Sequence, residues 1–381
     1  MRVLLATPSY FPIVGGSEVL TRILSIKLNE MGINADIMTI NMNKKWKPLW
    51  REEITRTDST SLFKEPALNP LPNLPNPLSN LFRVNVFPRL DFVSRFKDYD
   101  VIHFVGEADL SLPFFSRFIK KPKILHCVAI FRNGGLYKYY MHDRAFFGKM
   151  FRKIFPSLAD LYIINSDEEK ELLSNMGVPK DKISILPLGV DTEAFQPDQK
   201  RKIDNLVLFV GRIDRIKGLH ILIEALAHVE VPVQLAIIGP KWNAEYVKEI
   251  EETSVKINRI GFHKVMFLGN KDQKDLVPWY QKASILACPY LYETYSNVIR
   301  ESLACGTPVI STGAHLVKDC SDGILLSDRD PKNLAKGINT LLKDKQMRER
   351  FGSDGRKTIE RHFSWKSIVE DLAQIYENML S

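Results

Sequence analysis

The chain has 381 residues, 45% of them hydrophobic and 26% charged, with a formal net charge of +8. That length exceeds one comfortable core, so two domains of ordinary size are expected, and the composition is that of a soluble globular protein. No apolar run reaches membrane-spanning length, Met1–Thr7 is too short for a signal peptide, and Cys127, Cys288, Cys305 and Cys320 form no CxxC pair, which argues against a zinc site and gives no reason to expect disulfides. The expected location is the cytoplasm, and the positive charge suits an anionic partner of some kind: nucleotide, phospholipid surface or nucleic acid.

The first half opens with a strand at Val3–Thr7, a loop at Pro8–Ser17, an amphipathic helix from Glu18 to Met31 closed by Gly32, and a strand at Asp36–Ile40. From Lys44 to Pro88 the pattern breaks, with PALNPLPNLPNPLSN at its centre; such a run is expected to be irregular, a surface insertion or an acceptor-binding loop. Short buried strands follow at Asp100–Val105, Lys123–Val128, Leu161–Asn165 and Ile183–Leu186, with helical stretches between them, the last being Asp167–Met176. From Phe131 to Phe155, six Lys and Arg residues alternate with eight aromatic ones. Aromatics in a core with solvated charges is the ordinary reading of that stretch; peripheral contact with an anionic membrane is the other.

Pro197–Asn205 reads as a linker, after which alternation restarts. Strands are expected at Leu206–Val210, Val233–Ile238, Val265–Leu268, Ser284–Cys288, Pro308–Ser311 and Ile324–Leu326. Helices are expected at Gly218–Val229, Ala244–Asn258, Asp275–Lys282, Asn297–Cys305, Pro331–Leu342 and Ser364–Leu380. Two such alternations predict two doubly wound α/β domains facing across a cleft. The boundaries read as 1–198 for the first domain with its insertion at about 44–88, 199–363 for the second, and 364–381 for a terminal helix.

Several loops carry chemistry. Gly15 and Gly16 sit in the first strand-to-helix loop, where a ligand's phosphate or sugar can approach the backbone, but the GxGxxG dinucleotide spacing is absent. Arg212 lies just beyond a strand end with Lys217 five residues on, and two cations there can neutralise a diphosphate without a metal. Ser296 reads as the N-cap of the helix that carries Glu301. The free amides of Asn297, Val298 and Ile299 lie roughly 6–8 Å from Glu301 at about 1.5 Å of rise per residue, about the span from a nucleotide's phosphates to its ribose. The amides can therefore take an anion while Glu301 accepts from ribose hydroxyls; the plainer alternative is a Glu301 paired with a neighbouring Arg or Lys. His103 and His126 end apolar strands, where an imidazole can hydrogen-bond a substrate or simply be structural.

Taken in order, the Gly-Gly-x-Glu loop at Gly15–Glu18, His126, NSDEEKELLSNMGVPKDKISILPLGVDTEAFQP, the GR…KG element at Gly211–Gly218, and Glu293 with Glu301 followed by ESLACGTPVI resemble the retaining, nucleotide-sugar-dependent glycosyltransferases of family 4, which have the GT-B fold. The resemblance covers nearly the whole chain outside the Pro-rich insertion. It implies an acceptor-binding first domain and a donor-binding second one. It further implies that Arg212 and Lys217 bind the diphosphate, Glu301 the ribose and the amides near Ser296–Val298 the distal phosphate. Glu293 would hold the donor sugar's hydroxyls, and His126 would touch the sugar near its reacting carbon. Implied partners are a nucleotide diphosphate sugar, UDP- or GDP-linked, and a sugar, polysaccharide or lipid-linked acceptor, with no cofactor, no metal and no nucleic acid. The terminal helix would return to the first domain. Against the family pattern, Glu293-Thr294-Tyr295-Ser296 replaces Glu-Gly-Phe-Gly, Leu188 replaces Asn, Val105 replaces a second His, and GAHLVKDCSDG replaces a Gly-Gly-x-x-Glu loop. A sugar-nucleotide epimerase of the same fold and a non-catalytic nucleotide-binding protein are the alternatives.

Overall fold

The computed structural model describes residues 1–11, 16–41, 49, 52–56, 60–68, 87–88, 90–106, 111–116, 119–128, 153–293, 295–313 and 321–381. The chain divides into two compact units, Met1–Pro187 with Val369–Ser381, and Leu188–Ile368.

Unit 1 contains strands β1 (Arg2–Thr7), β2 (Asn34–Ile40), β3 (Glu53–Arg56), β4 (Ser61–Glu65), β5 (Ala67–Leu68), β6 (Phe87–Pro88), β7 (Val101–Val105), β8 (Lys123–His126), β9 (Leu161–Ile164) and β10 (Ile183–Ile185). Its helices are α1 (Gly16–Glu30), α2 (Ser111–Ser116) and α3 (Asp167–Asn175). Eight strands form one sheet in the order β10-β9-β8-β7-β1-β2-β4-β3, parallel throughout except for the β3/β4 pair. Strands such as β1 and β7 are continuous apolar runs because both faces of a parallel sheet are covered. Ile102, Phe104, Leu125 and Ile164 feed one core from a single face, while His103 and His126 project from the other by the two-residue alternation. The expectation that residues 44–88 are irregular is corrected in part: β3 and β4 extend the main sheet, and β5 pairs with β6. The remaining Pro-rich residues and the basic, aromatic stretch up to Arg152 lie outside the described residues.

Unit 2 has β11 (Leu206–Val210), β12 (Gln234–Ile238), β13 (Lys264–Phe267), β14 (Ile285–Cys288), β15 (Val309–Ser311) and β16 (Ile324–Leu326). Between and after them come α4 (Leu219–Ala225), α5 (Ala244–Ile260), α6 (Gln273–Lys282), α7 (Asn297–Ala304), α8 (Pro331–Lys343), α9 (Lys345–His362) and α10 (Trp365–Leu380), which runs on into unit 1. The sheet is wholly parallel in the order β13-β12-β11-β14-β15-β16, with a separate apolar core on each face. Pro197–Asn205, read as a linker, lies inside this unit, with Asp198 capping a short 3-10 turn. Helix α9, absent from the sequence reading, buries only Gly352, Gly355 and Ile359. It docks by backbone: a Cβ on Gly352 would come 2.2 Å from the carbonyl oxygen of Gly306. No described helix is long and apolar enough to cross a membrane.

Candidate functional site

In unit 2 the strand order reverses between β11 and β14, and the crevice at the carboxyl ends of such a pair is where open parallel sheets bind ligands. Beyond β11 the chain passes Arg212 and a 3-10 turn, Arg215–Lys217, before α4. Gly218 joins them at φ +69°, and a Cβ there would lie 1.8 Å from the Pro289 carbonyl oxygen just past β14. Only glycine lets the two loops meet so closely. Their contact brings Lys217 to Glu293, and the two side chains form an ion pair that is 15% and 14% exposed. The Lys217 ammonium also stands 4.8 Å from the Tyr290 ring centroid. Burial pushes it down to about 8, with the Arg212 charge adding to the shift and Cys288 and Asp214 opposing it. Arg212 is half-buried with its guanidinium 4.8 Å over the Trp242 ring. The loop after β14 is strutted: the amides of Leu291 and Tyr292 donate to the Ile216 carbonyl, and Arg329 donates to the carbonyls of Tyr290 and Leu291.

Helix α7 begins from this loop. Ser296 holds the N-cap position in extended conformation, but its hydroxyl does not cap the helix and lies 3.2 Å from the Tyr290 hydroxyl. The first-turn amides, those of Asn297 and Val298 among them, are therefore left without a side-chain acceptor at the positive end of the helix. Asn297 is exposed and Val298 half-buried. One turn on, Glu301 is 7% exposed and accepts from Gln273 Nε2 at 2.9 Å and from the Tyr280 hydroxyl at 2.8 Å, both on α6. Its described hydrogen-bond partners are neutral rather than Arg or Lys. Burial raises the Glu301 carboxyl above the usual range, and the Gln273 and Tyr280 bonds pull it back. Gln273 and Tyr280 escaped the sequence reading because only packing brings α6 to α7. Arg300 also escaped it: 3% exposed, it lies against Tyr295 and Phe363.

In unit 1, Gly16 is the exposed first residue of α1, while Gly15 lies outside the described residues. A Cβ on Gly16 would come 3.7 Å from Val128, two residues past His126, so the first loop and the end of β8 meet at the same edge of the sheet. Glu18 is buried beside them and accepts from the Ser9 hydroxyl. His126 is 2% exposed and, among the described residues, neither ring nitrogen has a hydrogen-bond partner. Its ring stacks on His103, with centroids 5.4 Å apart and planes 16° apart. His103 Nδ1 is 2.6 Å from the Tyr376 hydroxyl of α10, and its Nε2 is unpartnered. Burial pushes the His126 imidazole down to about 3 and lowers His103 as well, so both rings are neutral at neutral pH. Buried ring nitrogens without partners are costly, and ones that a ligand can satisfy mark a functional position. No group of three or more His, Cys, Asp or Glu side chains able to hold a metal occurs among the described residues.

Each half of the chain matches a family model: residues 14–194 that of Glycosyltransferase Family 4, and residues 190–358 that of Glycosyl transferases group 1. Among curated relatives, a D-inositol 3-phosphate glycosyltransferase of Corynebacterium jeikeium is 29% identical over 244 residues, covering 58% of either protein. The match thus spans little over half of that relative's length. An uncharacterized glycosyltransferase of Methanocaldococcus jannaschii is 24% identical over 98% of this chain and 97% of its own. Among solved structures, sucrose-phosphate synthase of Thermosynechococcus elongatus superposes with a TM-score of 0.70 at 22% identity, covering 99% and 98% of the two chains. HepE of Anabaena, in complex with UDP, gives 0.73 at 18% identity over 99% and 100%. With two parallel α/β units, an ordered set of loops at the strand ends and a family match on each half, the chain belongs to the family 4 glycosyltransferases of GT-B fold.

Proposed function

We propose that the protein transfers a glycosyl group from a UDP-linked sugar to a sugar, polysaccharide or lipid-linked acceptor, with retention of configuration and without a metal. The observation that carries the donor half of this reading is the group at the switch point of unit 2: Arg212 and the Lys217–Glu293 pair beside the uncapped start of α7, with Glu301 one turn away. Cations and helix amides take the diphosphate, Glu301 accepts from the ribose hydroxyls, and Glu293 takes hydroxyls of the sugar. On donor binding, Lys217 exchanges its carboxylate partner for phosphate and releases Glu293 toward the sugar. Departure of the diphosphate builds negative charge on its oxygens, and the fixed cations stabilise that charge most when it is fully developed. His126, neutral and with both ring nitrogens open, contacts the sugar near the reacting carbon as a hydrogen-bonding group rather than as an acid. UDP is chosen because HepE of Anabaena, similar in fold, has been solved with UDP and with UDP-glucose. The curated relative named for D-inositol 3-phosphate adds phosphorylated polyols to the acceptors worth testing.

The test is a panel of UDP-, GDP- and ADP-sugars without added metal, read first as thermal stabilisation and then as nucleotide release with and without acceptors. A bound donor at one hundred times its Kd stabilises by about 2.7 kcal/mol, a shift easily read. If no nucleotide sugar raises the melting temperature, the donor site is misassigned. Nucleotide release that depends on an acceptor supports transfer, whereas an altered sugar nucleotide formed without acceptor points to the epimerase.

A further inference from the structure

Tyr295 and Ser296 lead into α7, and Tyr295 is the side chain that secures this approach. The Tyr295 hydroxyl donates to the Leu188 carbonyl at 2.7 Å, and its ring lies 3.9 Å beneath the Arg300 guanidinium. Arg300 is itself held on its other side by Phe363, at 4.8 Å, and Nη1 donates to the Ser296 carbonyl at 3.3 Å. Arg300 is 3% exposed and has no carboxylate partner among the described residues, while Nε has no hydrogen-bond partner. A guanidinium buried without a counterion is costly, and a flat cation between two aromatic faces is one arrangement that offsets the cost. Leu188 and Phe363 belong to the two segments through which the chain enters and leaves unit 2. These are tied to each other: the Val190 amide donates to the Phe363 carbonyl at 2.7 Å and the Trp365 amide to the Val190 carbonyl at 3.2 Å.

We infer that Tyr295 and Arg300 form a clamp that fixes the approach to α7 against the entry and exit segments of unit 2, and that this clamp sets the recognition of the donor's sugar rather than of its nucleotide. The inference rests on the donor reading given above. Glu293, which pairs with Lys217, lies two residues before Tyr295 in the chain, so the clamp limits where the carboxylate proposed to hold the sugar hydroxyls can stand. The remaining donor groups stand on other supports: Arg212 and Lys217 on the turn after β11, and the α7 amides and Glu301 on a helix that the Glu301 bonds hold to α6. Tyr295 and Arg300 are positioning residues, acting through the backbone without touching the substrate.

The experiment compares UDP with UDP-glucose, UDP-galactose, UDP-N-acetylglucosamine and UDP-glucuronate by calorimetric titration of the full chain. The wild-type chain, Tyr295→Phe, which removes one hydrogen bond at constant shape, and Arg300→Met are compared. Expected are UDP affinities within twofold of wild type in both variants. The UDP-sugar that wild type binds tightest should weaken about tenfold in Arg300→Met and about threefold in Tyr295→Phe, with the preference among the four sugars narrowing. Arg300→Lys keeps the charge without the flat stacking surface and should resemble Arg300→Met. Equal loss of UDP and UDP-sugar affinity, or unchanged sugar preference in both folded variants, overturns the clamp. If Arg300→Met does not fold, Tyr295→Phe decides alone by the same criteria. If wild type binds neither UDP nor any UDP-sugar, the fault lies in the donor reading itself, and the clamp falls with it.

Discussion

Replacing Glu301 by Gln tests the ribose assignment most directly. The carboxylate is nearly buried and already accepts two hydrogen bonds, from Gln273 and Tyr280, which leaves the further lone pairs of its two oxygens for ribose hydroxyls. Gln keeps the shape and one oxygen, and the Tyr280 hydroxyl can turn to accept from the new amide, so little stability is lost. What disappears is a charged acceptor, worth about 1–3 kcal/mol to a bound hydroxyl pair, or roughly five- to 150-fold in UDP affinity. Inorganic pyrophosphate, which lacks the ribose, should bind the variant within twofold of wild type. Titration calorimetry with UDP and pyrophosphate reads both numbers on one preparation. Unchanged UDP affinity would mean that Glu301 only anchors α6 to α7, and equal losses for both ligands would mean that the substitution disturbs the phosphate site. Glu301→Ala separates the roles further: it strands the buried Tyr280 hydroxyl at about 1–3 kcal/mol, while the exposed Gln273 amide turns to water, and it should lower Tm as well as affinity.

The other predictions concern charge and backbone. Because Lys217 titrates near 8 in the free protein and a bound diphosphate favours its charged form, UDP binding should take up protons at pH 8–9 and weaken as pH rises through that range. Buffers of different ionisation enthalpy would reveal the uptake, and a pH-independent affinity would remove Lys217 from the phosphate site. His126→Asn should lower turnover by tenfold or more with donor affinity nearly kept; equal loss in both would count against a transition-state contact. The same variant should flatten the acid side of the Tm profile. A His held at about 3 when folded and about 6.5 when unfolded makes the unfolded state bind the extra proton, so stability falls as pH drops below about 6.5, by up to about 1.4 kcal/mol per pH unit. Gly218→Ala adds a Cβ into the Pro289 carbonyl at a left-handed φ and should weaken UDP binding by moving Lys217 away from the start of α7; wild-type affinity would show that the two loops need not touch.

Much of this was legible because parallel strands buried on both faces read as plain apolar runs, and the helices between them carry their own stops, such as Gly32, Gly177 and Gly306 at positive φ. The edge strand β3 and its neighbour β4 were not legible: Glu53–Arg56 is mostly exposed and polar, and its pairing depends on β4, set in turn by β2. Helix α9 escaped because two of its three buried residues are glycines, which leave no apolar stripe. At the site, the sequence pointed to Lys217 and Glu293 separately but not to their pairing, which depends on the close approach of Gly218 to Pro289. The Ser296 N-cap was placed correctly by position, yet its hydroxyl turns to Tyr290, a choice made by packing rather than by propensity. His126 ends its strand as expected, whereas His103, also read as a strand end, is the middle residue of β7; their stacking could not be seen, since it depends on the register in which Val105 lies beside His126.

The partition of the chain between its units also bears on how the protein comes into being. Unit 2 is one continuous run, whereas unit 1 is completed by Val369–Ser381, whose Tyr376 bonds a histidine 273 residues earlier. Domains of a growing chain ordinarily mature in the order of their synthesis. Here unit 1 waits for residues made after the whole of unit 2, and until they arrive His103 lacks its Tyr376 partner. A chain cut after Ile368 should therefore keep every residue of unit 2 while unit 1 loses the segment that bonds His103.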